Sequence, residues 1–368
     1  MRVAANLFSY FTTQAHPATG IVVDRKGQVY FSDLETIWKI DLQGQLSVFR
    51  AGVSGRHVHE LSIDEQDNIY GADVSYNPAT KGWPSDVWKM TPEGKFTYLL
   101  EPTEHPPRGM SIWRDRQRNM YLVDQNNHTK SQTLLLRRSP DGKVTTLAGC
   151  AYGHKDGRGK EANFSSVGGM AFGPDGSFYL TDGTSVRKVL MDGTVTTLAK
   201  DLNFRTADDK PALFGGAYGS LAGLGVDRNG NVYVADAGNR RLLRIGTDGK
   251  MEVVYRTEPP FFPNGVVATP AGDIYVMEVG LTPPSTSSGP RVRKLSSGGK
   301  NEIVAVVGSE HQLNSQTAPV DTAGVFADTF VISYSLNGRG RFAIVLLGIG
   351  LSSLVVTMWK RKRRERQA

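Results

Sequence analysis

The chain has 368 residues and a formal net charge of +7, with 41 glycines, 18 prolines and one cysteine. Six basic residues against one acid after Trp359 carry +5 of that charge, so the body holds only +2 and gives no ground for nucleic-acid binding. The single cysteine, Cys150, excludes an intrachain disulfide and a cysteine zinc cluster.

In chain order, residues 1–19 read as a lead-in. The apolar run within Met1 to Phe11 is short and interrupted, which makes a poor export signal. From residue 20 to residue 308 one pattern recurs six times. A tyrosine lies in the second short apolar run of each unit: Tyr30, Tyr70, Tyr121, Tyr179, Tyr233 and Tyr275. An acid follows three residues later each time, from Asp33, Asp73 and Asp124 to Asp182, Asp236 and Glu278. In a second register a basic residue precedes a glycine by five positions, from Lys39 and Gly44 to Lys294 and Gly299. The tyrosines are 40, 51, 58, 54 and 42 residues apart, so the connections vary while the unit does not.

Each unit predicts four strands, with alternation and β-branched content and no helical period. Gly27, Gly176, Gly230 and Gly272 fall where the first hairpin turns, which suits a residue free to take positive φ. Four-stranded units of this size, repeated six times, predict an all-β six-bladed β-propeller. One such sheet cannot cover both its own faces, whereas neighbours in a closed ring can.

After a mixed linker over residues 309–341 comes an uncharged apolar stretch, 342–359, that predicts one transmembrane helix. The basic tail, 360–368, then places that end in the cytoplasm and the propeller outside it. The membrane is thus the first expected partner.

Residues just before the first strands are expected to ring one mouth of the central channel: Thr19, His59, Arg108, Gly168, Ala222 and Asn264. His59, Glu60, Arg108 and Asn264 are the candidate ligand-binding residues. Glu60 and Asn264 carry oxygens suited to a divalent cation such as Ca²⁺. The acids repeat in every unit, so they are expected to be structural, capping turns. The six basic residues are spread around the ring, and an RNA groove would need them clustered. No phosphate-binding loop, nucleophile elbow or HExxH metal motif occurs.

The run from Val144-Thr-Thr-Leu-Ala-Gly149 through Asp156-Gly157 to Val186-Arg-Lys-Val189 and Val195-Thr-Thr-Leu-Ala199 resembles NHL-repeat propellers of the teneurin type. That resemblance spans residues 20–308 and implies a membrane-anchored binding or scaffolding module for a protein or carbohydrate partner. Phe262-Pro-Asn-Gly-Val266, followed by Ile274-Tyr-Val-Met-Glu278, is similar to gluconolactonase and strictosidine-synthase-like propellers. This second resemblance implies the alternative, a lactonase-type hydrolase with a divalent metal held in part by Asn264. The first unit has Ala18-Thr19-Gly20 where that family carries a glutamate before its glycine.

Overall fold

The computed structural model describes residues 18–75, 85–103, 112–115, 117–125, 132–209, 221–282, 286–308, 330–335, 341–346 and 356–357. Two compact units divide the chain, Met1–Gln316 and Thr317–Ala368. The first contains six antiparallel sheets whose strands follow one another in sequence. Blade 1 runs from Ile21–Val23 to Leu46–Arg50 and blade 2 from His57–Ile63 to Phe96–Thr103. Blade 3 runs from Ile112–Arg114 to Val144–Ala148 and blade 4 from Val167–Phe172 to Thr194–Ala199. Blade 5 runs from Leu221–Val226 to Met251–Arg256 and blade 6 from Phe261–Ala268 to Asn301–Val306. Blade 4 gains a fifth strand, Gly157–Arg158, on the outside of Thr194–Ala199.

The two glycine registers are turn requirements. Gly44, Gly94, Gly142, Gly193, Gly249 and Gly299 all have φ between 78° and 91°, where a Cβ would crowd the backbone. In the first hairpins Gly27, Gly176, Gly230 and Gly272 do the same, and Asp67 and Arg118 adopt φ of 61° and 63° where glycine is missing. The recurrent tyrosine ties that first turn down: Tyr70 Oη donates to Asp64 at 2.7 Å, and Tyr121 Oη donates to Asp115 at 2.9 Å.

The cores lie between blades. Val22, Tyr30 and Ile37 of blade 1 pack with Leu61, Ile69 and Trp88 of blade 2. Tyr121 and Leu135 of blade 3 pack with Phe164, Phe178 and Leu180 beside and within blade 4. The ring closes the same way, with Phe31 and Trp38 of blade 1 against Met277 and Val292 of blade 6. Closure therefore rests on face packing between the first and last blades, each built from one contiguous stretch of chain.

The second unit differs from the expectation. Phe330–Ser335 pairs with Arg341–Leu346, which pairs with Val356–Thr357, in a three-stranded antiparallel sheet. The helix expected over 342–359 is therefore not shown. Among the described residues no helix is long and apolar enough to cross a membrane. A short apolar run such as Phe342-Ala-Ile-Val-Leu346 has no period that separates strand from helix. Its pairing partner lies in a stretch that reads as linker from sequence. Residues 309–329, 336–340, 347–355 and 358–368 lie outside the described residues.

Candidate functional site

The recurrent acids hold the blades together, as their repetition implies. Thr36 N and Trp38 Nε1 donate to Asp33 at 2.8 and 2.7 Å. Trp88 Nε1 donates to Asp73 at 3.1 Å, and the Arg50 guanidinium reaches the same carboxylate from blade 1. Ser166 N and Arg187 Nη1 donate to Asp182 at 2.9 and 2.7 Å. Asn239 Nδ2 and Arg241 Nε donate to Asp236 at 2.9 and 2.8 Å. Arg291 Nε and Arg293 Nε donate to Glu278 at 2.5 and 2.7 Å. Backbone capping occurs at Asp33, Asp182 and Asp236, while Asp73 and Glu278 are met by side chains. The third-strand donors were not singled out from sequence. Their signal is a tryptophan or arginine directly before the recurrent basic residue: Trp38, Trp88, Arg187 and Arg293.

Arg187 and Arg241 also staple the loops that precede their blades. Arg187 Nη2 donates to Asp156 at 2.8 Å, and Arg241 Nη1 donates to Asp209 at 2.7 Å. Both guanidinium groups are fully buried, which the flanking carboxylates and loop carbonyls make tolerable.

In blades 2, 4, 5 and 6 the inner strand has a register shift just before the partner of the recurrent acid. The register skips His59 and Glu60 in blade 2, Gly168 and Gly169 in blade 4, Ala222 and Gly223 in blade 5, and Asn264 in blade 6. Such bulges re-aim side chains at the rims of closed sheets. Five of the six positions expected at the mouth, Thr19, His59, Gly168, Ala222 and Asn264, thus stand at one level. Each lies eleven residues before its tyrosine. Arg108 lies outside the described residues.

The next residue, ten before the tyrosine, is Gly20, Gly169, Gly223 and Gly265 in blades 1, 4, 5 and 6. A Cβ on Gly20 would stand 2.7 Å from Leu61 N, one on Gly169 2.9 Å from Gly223 Cα, and one on Gly223 2.8 Å from the Asn264 carbonyl oxygen. The blades touch there backbone to backbone. Blade 2 carries Glu60 at this step, next to blade 3.

A cavity of about 270 Å³ occupies the channel between the inner strands. Glu60 lies on its wall beside Thr19, Gly20, Gly169 and Gly223, and Asp24 and Arg25 line it from the first hairpin turn of blade 1. Glu60 is only 8 % exposed. Burying a carboxylate is costly unless it serves a partner or a ligand.

His59 and Asn264 both contact the start of blade 1 through backbone groups. Thr19 N and Gly20 N donate to the His59 carbonyl at 2.7 and 2.9 Å. Asn264 Nδ2 donates to the Ala18 carbonyl at 2.5 Å, which ties blade 6 to the start of blade 1. Asn264 is buried, and its amide helps close the ring. The His57 and His59 rings meet edge to face with centroids 5.9 Å apart.

On the third strand of blade 2, Asp86 lies 3 % exposed, with Arg56 at 3.7 Å. Burial and the charge of Asp73 push the Asp86 carboxyl up to about 6, against the pull of Arg56. Among the described residues no group of three or more His, Cys, Asp and Glu could hold a metal ion. Glu60 and Asn264 therefore do not make a complete Ca²⁺ site with them, as hard cations take six or more oxygens.

No family model matches the chain. No curated protein matches it. Among solved structures it is similar to a virginiamycin B lyase from Staphylococcus aureus at 16 % identity and a TM-score of 0.47, covering 80 % of this chain and 85 % of that one. A gluconolactonase from Xanthomonas campestris matches at 13 % identity and a TM-score of 0.48, over 71 % and 83 %. The calcium-binding protein regucalcin from Agrobacterium tumefaciens matches at 16 % and 0.46, again over 71 % and 83 %. Likenesses of this depth concern the propeller fold. The NHL-repeat resemblance rests on the residues of the sequence alone.

Proposed function

We propose that the propeller takes a small polar molecule at the mouth of its channel and hydrolyses it in the manner of a lactonase. The observation that carries this reading is Glu60. It places a buried carboxylate on the channel wall at a step where blades 1, 4, 5 and 6 carry glycine. A cavity of about 270 Å³ is sized for a sugar-like ring rather than for a protein surface. The lactonase-like run from Phe262 to Val266 lies in the blade that closes the ring against Ala18.

The chemistry asked of Glu60 is that of a general base. Its carboxylate takes a proton from water as the oxygen attacks the lactone carbonyl carbon. The ring carbon–oxygen bond then breaks, and the proton passes to the departing ring oxygen, leaving a hydroxy acid. A divalent cation such as Ca²⁺ would polarise the carbonyl, but the described residues do not complete its ligand set and no step is drawn through it. Turnover of aldonolactones by the purified chain, with and without Ca²⁺, tests the reading.

A second reading is a binding or scaffolding module for a protein or carbohydrate partner. It is favoured by the acids, since Asp33, Asp73, Asp182, Asp236 and Glu278 are all engaged in holding the blades. Stable capture of one partner by a chain with no lactone turnover would favour this reading over the first.

Membrane attachment through the uncharged stretch 342–359, with the basic tail in the cytoplasm and the propeller outside, is part of the proposal. Resistance to carbonate extraction and protease cleavage of the propeller in intact cells are the expected results. Release by carbonate, or protection from protease, would contradict it.

A further inference from the structure

A second and larger cavity, about 1240 Å³, opens among the first hairpin turns of blades 2, 3 and 4. It shares Ile63 and Phe172 with the channel, so it lies at the end away from Glu60. Its wall includes two of the recurrent basic residues, Lys89 of blade 2 and Arg137 of blade 3.

In blades 4, 5 and 6 these basic residues are neutralised within their own blade, and Lys39 of blade 1 sits over the Tyr30 ring, outside this cleft. Lys188 Nζ meets Asp175 at 2.6 Å, Lys294 Nζ meets Asp273 at 2.8 Å, and Arg244 meets Glu252 at 2.8 Å. Asp175 lies four residues before its tyrosine and Asp273 two before. In blades 2 and 3 those positions hold Gln66 and Asn68, then Gln117 and Asn119. Arg137 Nη2 accordingly donates to a neutral amide oxygen, Asn119 Oδ1, at 3.1 Å. Among the described residues no ion pair involves Lys89 or Arg137, and they line one cleft from adjacent blades.

Acids are present in the cleft too. Asp64 accepts from Asn68 N at 2.9 Å and Tyr70 Oη at 2.7 Å, Asp115 accepts from Asn119 N at 2.8 Å and Tyr121 Oη at 2.9 Å, and Asp175 is paired with Lys188. Glu65 and Arg118 also lie on the wall. Fixed carboxylates beside the cations Lys89, Arg118 and Arg137 disfavour a multiply charged anion and suit a ligand with one negative group and many hydroxyls. Amide and carboxylate oxygens accept from hydroxyls, while a lysine and an arginine take the carboxylate.

We infer that this cleft binds a sugar acid, a polyhydroxy molecule with a single carboxylate, held by Lys89 and Arg137. The inference rests on the cleft alone and stands whether or not the channel mouth is a hydrolytic site. The test is calorimetric titration of the full chain at low salt with D-gluconate, and with inorganic phosphate as a second probe. Gluconate should bind, and Lys89→Gln and Arg137→Gln should each weaken it about tenfold, in line with loss of one charge-assisted hydrogen bond. Lys250→Gln, in an exposed turn of blade 5 outside the cleft, should leave gluconate affinity unchanged. No binding of gluconate, equal or tighter binding of phosphate, or gluconate affinity unchanged in both cleft variants would overturn the inference. Unaltered melting temperatures of the variants separate lost binding from lost folding.

Discussion

Asp86 stands directly across from Asp73 on the neighbouring strand of blade 2, at the place where blades 5 and 6 set Arg241 across from Asp236 and Arg291 across from Glu278. Two blades thus place a cation directly across from the buried acid, and blade 2 places a second acid there. Its relief comes from outside, through Arg50 of blade 1 and Arg56.

That arrangement has a pH signature. Asp86 titrates at about 6 in the folded chain, against an unfolded value of 3.8. The native state therefore holds a proton that the unfolded chain has released between about pH 4 and pH 6. Stability should fall as pH rises through that window and level off above it. Asp86→Asn should remove this slope and raise stability at pH 7.5 by on the order of 2 kcal/mol. Urea melts of both proteins at pH 4.5 and 7.5 check this; an equal effect at the two pH values would contradict it.

The buried arginines should matter far more than the exposed lysines. Arg241→Met strands Asp236 and Asp209, both with fully buried side chains, and should cost about 3–5 kcal/mol. Lys188→Ala removes an ion pair whose lysine is 30 % exposed and should cost under about 1 kcal/mol. Melting temperatures rank the two directly.

Backbone contact at the ring predicts a second contrast. Gly223→Ala drives a Cβ to within 2.8 Å of the Asn264 carbonyl oxygen and 3.1 Å of Gly265 Cα, and should cost about 1–3 kcal/mol or more. Gly298→Ala meets nothing within 4 Å and should change stability by less than about 0.5 kcal/mol. Denaturant midpoints of the two variants measure the difference.

Much of the ring was legible because turns impose local rules. The glycine five residues after each basic residue is required by positive φ, which no neighbour can supply, so it recurs six times. Glu60 was legible only as a polar residue near a mouth. Aligning the blades on their tyrosines exposes it, because Gly20, Gly169, Gly223 and Gly265 stand at the same count. The hydrogen bond from Asn264 to Ala18 has no signal in the sequence, since it spans most of the chain and exists only when the ring closes. The apolar run Phe342-Ala-Ile-Val-Leu346 is five residues long, and five apolar residues fit a strand and a helix equally well.

The most direct test of the channel-mouth account is hydrolysis of a sugar lactone by the full chain, followed by pH-stat, beside its Glu60→Gln variant. The account predicts turnover by the native chain and a loss of about 100-fold or more in the variant, with both melting at the same temperature. Absence of turnover with or without added Ca²⁺, or undiminished turnover in Glu60→Gln, would contradict it.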